Sequence, residues 1–199
     1  MRKVLHVGCG QKTLAQMPPG FRDGDWEEVR FDVQASVRPH IVGSMTDMSA
    51  VADNSMDALY SSHNIEHVYP HQVDGVLREF LRVLKPEGFA VVTCPDLQEV
   101  ARHVAEGRLE EPLYQSPSGP VSALDIFYGH NASIAKGEVA MAHRTGFTGK
   151  SLGDHAGRAG FACYGIRTRP RFFDIWLVAA KLQRTAEELQ VLMASYALD

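Results

Sequence analysis

Short apolar runs of strand length alternate along this chain with stretches in which apolar residues recur every three or four positions. The runs predict strands near residues 3–7, 27–31, 39–43, 57–61, 88–94, 161–167 and 172–181. The clearest helix spans residues 71–84, where Val73, Val76, Leu77, Phe80, Leu81 and Leu84 share one face while Arg78, Glu79 and Arg82 take the other. Pro70 suits its entry, and Lys85-Pro86-Glu87-Gly88 stops it. Strands alternating with helices give a parallel sheet covered on both faces. The last two strands are separated only by Thr168-Arg169-Pro170-Arg171, too short for a crossover, so an antiparallel hairpin should close the sheet. The expectation is therefore an α/β fold with a seven-stranded, mostly parallel sheet and helices on both faces.

The first run, Val4 to Val7, breaks into Gly8-Cys9-Gly10, and an isolated acid, Asp32, follows 22 residues after Gly10. A buried strand that turns on two glycines lets backbone approach a ligand closely, and an acid closing the second strand can accept from ribose hydroxyls. Dinucleotide sites use Gly-x-Gly-x-x-Gly, whereas here Gln11, Lys12 and Thr13 follow Gly10. The missing third glycine counts against an NAD-dependent oxidoreductase and suits a nucleoside donor without a diphosphate.

Val4 to Gly10, Asp32, Thr46-Asp47-Met48, Asp57 to His67 and Leu84 to Gly88 together resemble the successive signatures of class I S-adenosylmethionine-dependent methyltransferases of the type 11-like family. The resemblance covers most of residues 3–100 and implies a Rossmann-like sheet, S-adenosyl-L-methionine as cofactor and a methyltransferase activity. It implies cofactor contacts at Gly8, Cys9, Gly10, Asp32, Val33, Thr46, Asp47, Met48 and His63. In the family's adenine loop a carboxylate accepts the exocyclic amine and the next backbone amide meets a ring nitrogen, which falls here on Asp47 and Met48. Proteins with similar strings often act on small molecules or sugars, so the acceptor is expected to be a small metabolite or glycan precursor methylated on oxygen or nitrogen. A binding protein that keeps the fold and the cofactor without catalysis is the alternative.

His63-Asn64-Ile65-Glu66-His67 is also a His-x-x-Glu-His string, which can bind zinc on a helix. Spacing places no third ligand, and the string fits the family's fourth-strand motif, so no metal is expected and the protein should survive chelation. His63 is expected to line the donor pocket, while for Glu66 and His67 fixing the turn by hydrogen bonds is the equal alternative. A sulfonium methyl is electrophilic already, so the protein mainly orients the acceptor and excludes water. If the acceptor must lose a proton, His63, His67, His130 or His143 could take it, and His63, His67 and His143 are the catalytic candidates.

Between residues 107 and 147 the alternation fails. Pro112, Pro117, Gly119, Pro120, Gly129 and Gly137 mix with Tyr114, Phe127, Tyr128, His130 and His143. With no helix ahead of the first strand, this insertion is the natural cover for the donor and a lid over the acceptor. A small satellite core is the other reading. Arg167, Arg169 and Arg171 at the hairpin read as a solvated turn.

The chain has 199 residues, enough for one domain over 1–183 with this insertion, followed by a C-terminal amphipathic helix within 184–199. Thr185 and Glu188 form a capping box for that helix, and its stripe of Leu189, Leu192, Met193 and Tyr196 must cover its own domain or a partner, so a homodimer is open. A formal charge of −4 argues against general nucleic-acid binding. No apolar run reaches membrane-spanning length. Three cysteines, Cys9, Cys94 and Cys163, lack paired spacing and suggest buried, reduced thiols and a cytoplasmic setting.

Overall fold

The structure, a computed structural model, describes residues 1–116 and 118–197. Pro117 of the predicted insertion and Leu198 and Asp199 of the predicted C-terminal helix lie outside the described residues. In chain order the elements are β1 (Arg2–Val7), α1 (Pro19–Arg22), β2 (Trp26–Asp32), β3 (Ile41–Val42), β4 (Met56–Ser62), α2 (Val73–Val83), β5 (Leu84–Pro95) and α3 (Leu97–Ala105). They continue with β6 (Pro112–Ser116), β7 (Gly119–Ser122), α4 (Ala123–Tyr128), α5 (Asn131–Ile134), α6 (Gly149–Ala159), β8 (Cys163–Arg169), β9 (Asp174–Ala180) and α7 (Ala186–Tyr196).

Among the described residues seven strands form one sheet in the order β3-β2-β1-β4-β5-β9-β8, with β9 antiparallel to both β5 and β8. The predicted architecture is the observed one. Strand β3 shrinks to two residues because Pro39 has no N–H to give and the imidazole Nδ1 of His40, rather than a backbone carbonyl, accepts the Arg30 N–H at 3.0 Å. The predicted helix over 71–84 is a 3-10 turn followed by α2, and Leu84 already belongs to β5, where it pairs with Met56 ahead of a register shift.

The sheet carries two apolar layers. On one face Leu5, Leu59, Val92 and Leu177 pack with Val76, Leu77 and Phe80 of α2 and Leu152 and Ala156 of α6. On the other, Val4, Tyr60, Val91 and Trp176 meet Phe21 of α1 and Met193 and Tyr196 of α7. The C-terminal helix therefore covers its own sheet, capped at Thr185 as predicted, and the side chain of Thr185 accepts from the Glu188 N–H. Helices α2 and α6 are tied across their exposed rims by Asp74, whose carboxylate accepts from His155 Nδ1 at 2.5 Å and Arg158 Nε at 3.1 Å.

The insertion builds a third, smaller cluster, with Val121, Ala123 and Ile126 packed on Val100 of α3 and on Phe173 beyond β8. The three cysteines are free; Cys9 and Cys94 are buried and Cys163 is half-buried. Arg169 departs from the solvated-turn reading. Its guanidinium makes a bidentate pair with the buried Asp174 carboxylate, at 2.8 Å and 2.5 Å, and Trp176 Nε1 adds a third donor. No helix among the described residues is long and apolar enough to cross a membrane.

Candidate active site

In an open α/β sheet the ligand crevice lies at the carboxyl ends of the strands where the order reverses, here between β1 and β4. The segments that follow β1, β2 and β4 converge there. Gly8 and Gly10 adopt φ of +64° and +51°, the left-handed region that glycine enters without strain. At Gly8 a Cβ would collide with Asn64 Oδ1, so this glycine is a packing requirement. At Gly10 a Cβ would meet nothing, which leaves an open cradle beside the turn.

Asp32 is 7% exposed, and its carboxylate is partly committed to the protein. Oδ2 accepts from the Gly10 N–H and Oδ1 from the Gln34 N–H, each at 2.8 Å. Each oxygen keeps one further lone pair for a hydroxyl. Arg30 closes the turn from behind by donating to the Gly10 carbonyl at 2.5 Å. Val33, next to the acid, stands 64% exposed, an apolar side chain at the crevice. Cys9 is buried, so only its backbone can face a ligand, and burial pushes its thiol upward.

In the loop after β3, Thr46 bonds Ser44 Oγ through its hydroxyl and Asp47 Oδ1 accepts the Ser49 N–H at 3.1 Å. Met48 is placed differently from the adenine-loop expectation. Its side chain is buried in the core and its amide donates to Glu79 Oε2 at 3.1 Å, so that amide is already paired. Arg82 grips the same Glu79 and the Met48 carbonyl, which holds the loop against α2. Sequence reasoning did not connect this loop to Glu79, because the pair is 31 residues apart.

The turn after β4 carries the histidine string, and it is a 3-10 turn, Ile65–His67, rather than the regular helix a zinc-protease reading requires. His63 sits at φ +55°, an unusual backbone for a residue with a Cβ, and its N–H donates to the Thr93 carbonyl at 2.9 Å. Asn64, unremarked in the sequence, locks the turn by donating to the Val7 and Ser62 carbonyls at 3.1 Å and 3.0 Å. The Glu66 carbonyl accepts from the N–H groups of Arg144 and Thr145, which draws the end of the insertion onto this turn and brings in His143.

Glu66 does not fix the turn through its side chain. Its carboxylate is 1% exposed and neither oxygen has a hydrogen-bond partner. His63 Nδ1 stands 3.5 Å from Oε1, an ion-pair distance without hydrogen-bond geometry. Burial acts to raise the Glu66 carboxyl, but the adjacent His63, with His67 and His143, holds it below the ordinary carboxylate range. His67 Nδ1 lies 3.1 Å from the Ala142 carbonyl and His143 Nδ1 2.7 Å from the Ile126 carbonyl. Burial pushes His143 below the usual imidazole range, against the pull of Glu66.

One cavity of about 250 Å³ joins these groups to the insertion. His63, Glu66, His67 and Pro95 line its sheet side, Tyr114, Asp125, His130, Met141 and His143 its insertion side, and Phe172 and Phe173 close it from the hairpin. The three catalytic candidates and His130 thus share a single chamber. Tyr128 is 67% exposed and outside that lining, whereas Tyr114 of the same insertion is part of it, as are Phe172 and Phe173, which the sequence did not single out. The absence of a third ligand by spacing does not hold in space: Glu66, His67 and His143 each bring one ligand atom within 4.8 Å of the others.

Residues 5–92 match the family model described as a methyltransferase domain. Similar folds include the PH0226 protein of Pyrococcus horikoshii OT3, with a TM-score of 0.61 at 18% identity over 90% of this chain and 82% of that one. A S-adenosylmethionine-dependent methyltransferase of Methanosarcina mazei gives 0.58 at 14% identity over 91% and 93% of the two chains. Another of Archaeoglobus fulgidus gives 0.55 at 13% over 89% and 85%. No curated protein matches the chain by sequence.

Proposed function

We propose that this chain, whose residues 5–92 match a methyltransferase domain set in a seven-stranded sheet, is a class I methyltransferase that methylates a small molecule or glycan precursor on oxygen or nitrogen. The donor is S-adenosyl-L-methionine, which supplies an electrophilic methyl group when bound. Gly8, Cys9 and Gly10 offer backbone to it, Asp32 takes the ribose hydroxyls with its remaining lone pairs, and Val33 gives the base an apolar flank. Thr46 and Asp47 border the adenine side, with the Asp47 side chain as the acceptor for an exocyclic amine. The Met48 amide, paired to Glu79, serves this reading only by fixing the loop.

The observation that carries the proposal is the shared cavity, in which the turn after β4 faces the insertion across a chamber lined by His63, His67, His130 and His143. Orientation of an acceptor there, and exclusion of water by Tyr114, Met141 and Phe172, supply most of what methyl transfer needs. For an oxygen acceptor one imidazole removes the hydroxyl proton, and His63, half-exposed at the chamber mouth, is the candidate base. An amine can lose its proton to solvent.

Calorimetry with S-adenosylmethionine and a radiolabelled methyl-transfer assay over phenols, sugars and amines test this reading. Binding of the donor with transfer to one of these classes is the expected result. Donor binding without transfer to any acceptor would leave a cofactor-retaining binding protein, and no donor binding would overturn the proposal.

A further inference from the structure

The side-chain cluster at the floor of the cavity asks for a cation. Glu66 is a carboxylate in the interior without a hydrogen bond, an arrangement that is costly unless the charge is paired or coordinates a metal. Both neighbouring imidazoles have Nδ1 against a backbone carbonyl, Ala142 for His67 and Ile126 for His143. A carbonyl can only accept, so each Nδ1 carries a proton, and in the neutral ring this leaves Nε2 with the free lone pair. This is how proteins set the tautomer and orientation of a metal-ligating histidine.

His63 Nδ1, 3.5 Å from Oε1, is the imidazole at ion-pair distance, but it is half-exposed and makes no hydrogen bond to the carboxylate, and neither His67 nor His143 bonds it, so both Glu66 oxygens are left without a direct ligand. The two rings stand edge to face with centroids 4.9 Å apart, and one nitrogen of each lies within 4.8 Å of the other and of a Glu66 oxygen.

We propose that Glu66, His67 and His143 form a binding site for a divalent transition-metal ion. One carboxylate and two imidazoles suit zinc or manganese better than magnesium, which prefers an all-oxygen octahedral shell. The ligand atoms now lie within 4.8 Å of one another, and closing to the roughly 3.4 Å spacing of a site with bonds of about 2.1 Å needs only small side-chain rotations. Three protein ligands leave positions open, as in catalytic rather than structural metal sites. Those positions face the chamber where His63 stands, so an acceptor hydroxyl or carboxylate can take one of them. That last use rests on the chamber being the acceptor pocket, whereas the site itself does not.

The experiment uses full-length protein without a histidine tag. Metal content is measured by mass spectrometry after purification, and Zn²⁺ and Mn²⁺ are titrated by calorimetry into chelator-stripped protein, with no methyl donor or acceptor present. Co²⁺ substitution gives a visible absorption band as an independent readout. One equivalent is expected, with Glu66→Gln and His143→Ala each weakening binding by about 100-fold or more, the upper end of what losing even an outer partner costs. His71→Ala, on the exposed surface, should leave it unchanged. Circular dichroism on the near-isosteric Glu66→Gln shows that loss of metal is not loss of fold. No stoichiometric binding of either ion, or binding that survives Glu66→Gln and His143→Ala, would overturn the proposal. Because no donor or acceptor enters this measurement, its failure leaves methyl transfer untouched, and a failed transfer assay leaves the metal site untouched.

Discussion

Asp32 caps the glycine turn in this structure and is proposed to take the donor's ribose, and removing its carboxylate should separate the two roles. The acid accepts from the Gly10 and Gln34 N–H groups, each at 2.8 Å, and is almost fully buried. A hydrogen bond to a charged acceptor contributes about 1.5–3 kcal/mol, so Asp32→Ala leaves two amides short by a gross 3–6 kcal/mol or so. Water entering the vacated space recovers part of this, and a net loss near 3 kcal/mol is the working figure. For a domain of this size that lowers Tm by roughly 6–12 °C. Asp32→Asn should fall between, because its amide can accept from one N–H but must turn an NH₂ toward the other.

Donor binding is the second readout. Loss of the ribose contacts should weaken S-adenosylmethionine by about 1–3 kcal/mol, roughly 5- to 150-fold in Kd. The control is Leu152→Ala, which empties a buried core position of α6 outside the turns that form the crevice and costs about 2–5 kcal/mol. Urea denaturation and titration calorimetry on the three variants give both numbers. If Asp32→Ala is destabilised like Leu152→Ala yet binds the donor with wild-type affinity, the acid only caps the glycine turn and the ribose assignment fails.

Asp174→Ala should cost about 3–5 kcal/mol in urea denaturation, because it strands the Arg169 guanidinium in a nearly buried site; a loss below about 1 kcal/mol would mean water already solvates the pair. The Asp74 carboxyl is held below its ordinary range by bonds from His155 and Arg158, so its stabilising effect is present above about pH 4 and fades as pH falls through the lowered value. Asp74→Asn should therefore be less stable than wild type at neutral pH, with the two curves converging in acid; parallel curves would refute the assignment. In hydrogen exchange, the amides of β6, β7 and α4 should exchange faster than those of β1, β4 and β5 and slow on addition of donor or acceptor; exchange as slow as the sheet, without response, would make the insertion a rigid element.

Strand runs, the α2 stripe and the four-residue link before β9 were legible because each depends on neighbours a few positions away. Val4 to Gly10 and Asp32 were legible for a related reason: a strand, a turn and the end of the next strand are tied by sheet geometry to a narrow range of spacings. Contacts between distant segments left no such trace. The Met48–Glu79 bond spans 31 residues, and His143 meets Glu66 only because the Arg144 and Thr145 amides bond the Glu66 carbonyl. The string His63 to His67 suggested a metal on a helix, yet its backbone is a 3-10 turn begun by a residue at positive φ, which re-aims the side chains. Arg169 was misread because a hairpin arginine is usually solvated, and only the register of β8 on β9, pairing it with Asp174, reveals the buried partner.

The insertion was open to two readings, a small core or a cover; the small core is observed, and the proposed function uses the same segment as the cover. A segment that presents His143 and Met141 to the chamber must hold them in place, and a loop without apolar contacts of its own could not. Val121, Ala123 and Ile126 provide those contacts by packing on Val100 and Phe173, which belong to the main body. Ile126 works on both sides at once, as it is buried in this cluster, lines the chamber and offers its carbonyl to His143 Nδ1. Each large apolar side chain contributes about 1.5–3 kcal/mol of burial, so a cluster this small only modestly exceeds the entropy of ordering the segment. The sheet, with its far larger core, is under no such balance. The end of the insertion is nevertheless bonded to the turn after β4 through the Glu66 carbonyl, and Ile126 holds His143, so under the proposed function admitting an acceptor would move the insertion, that turn and the imidazole together.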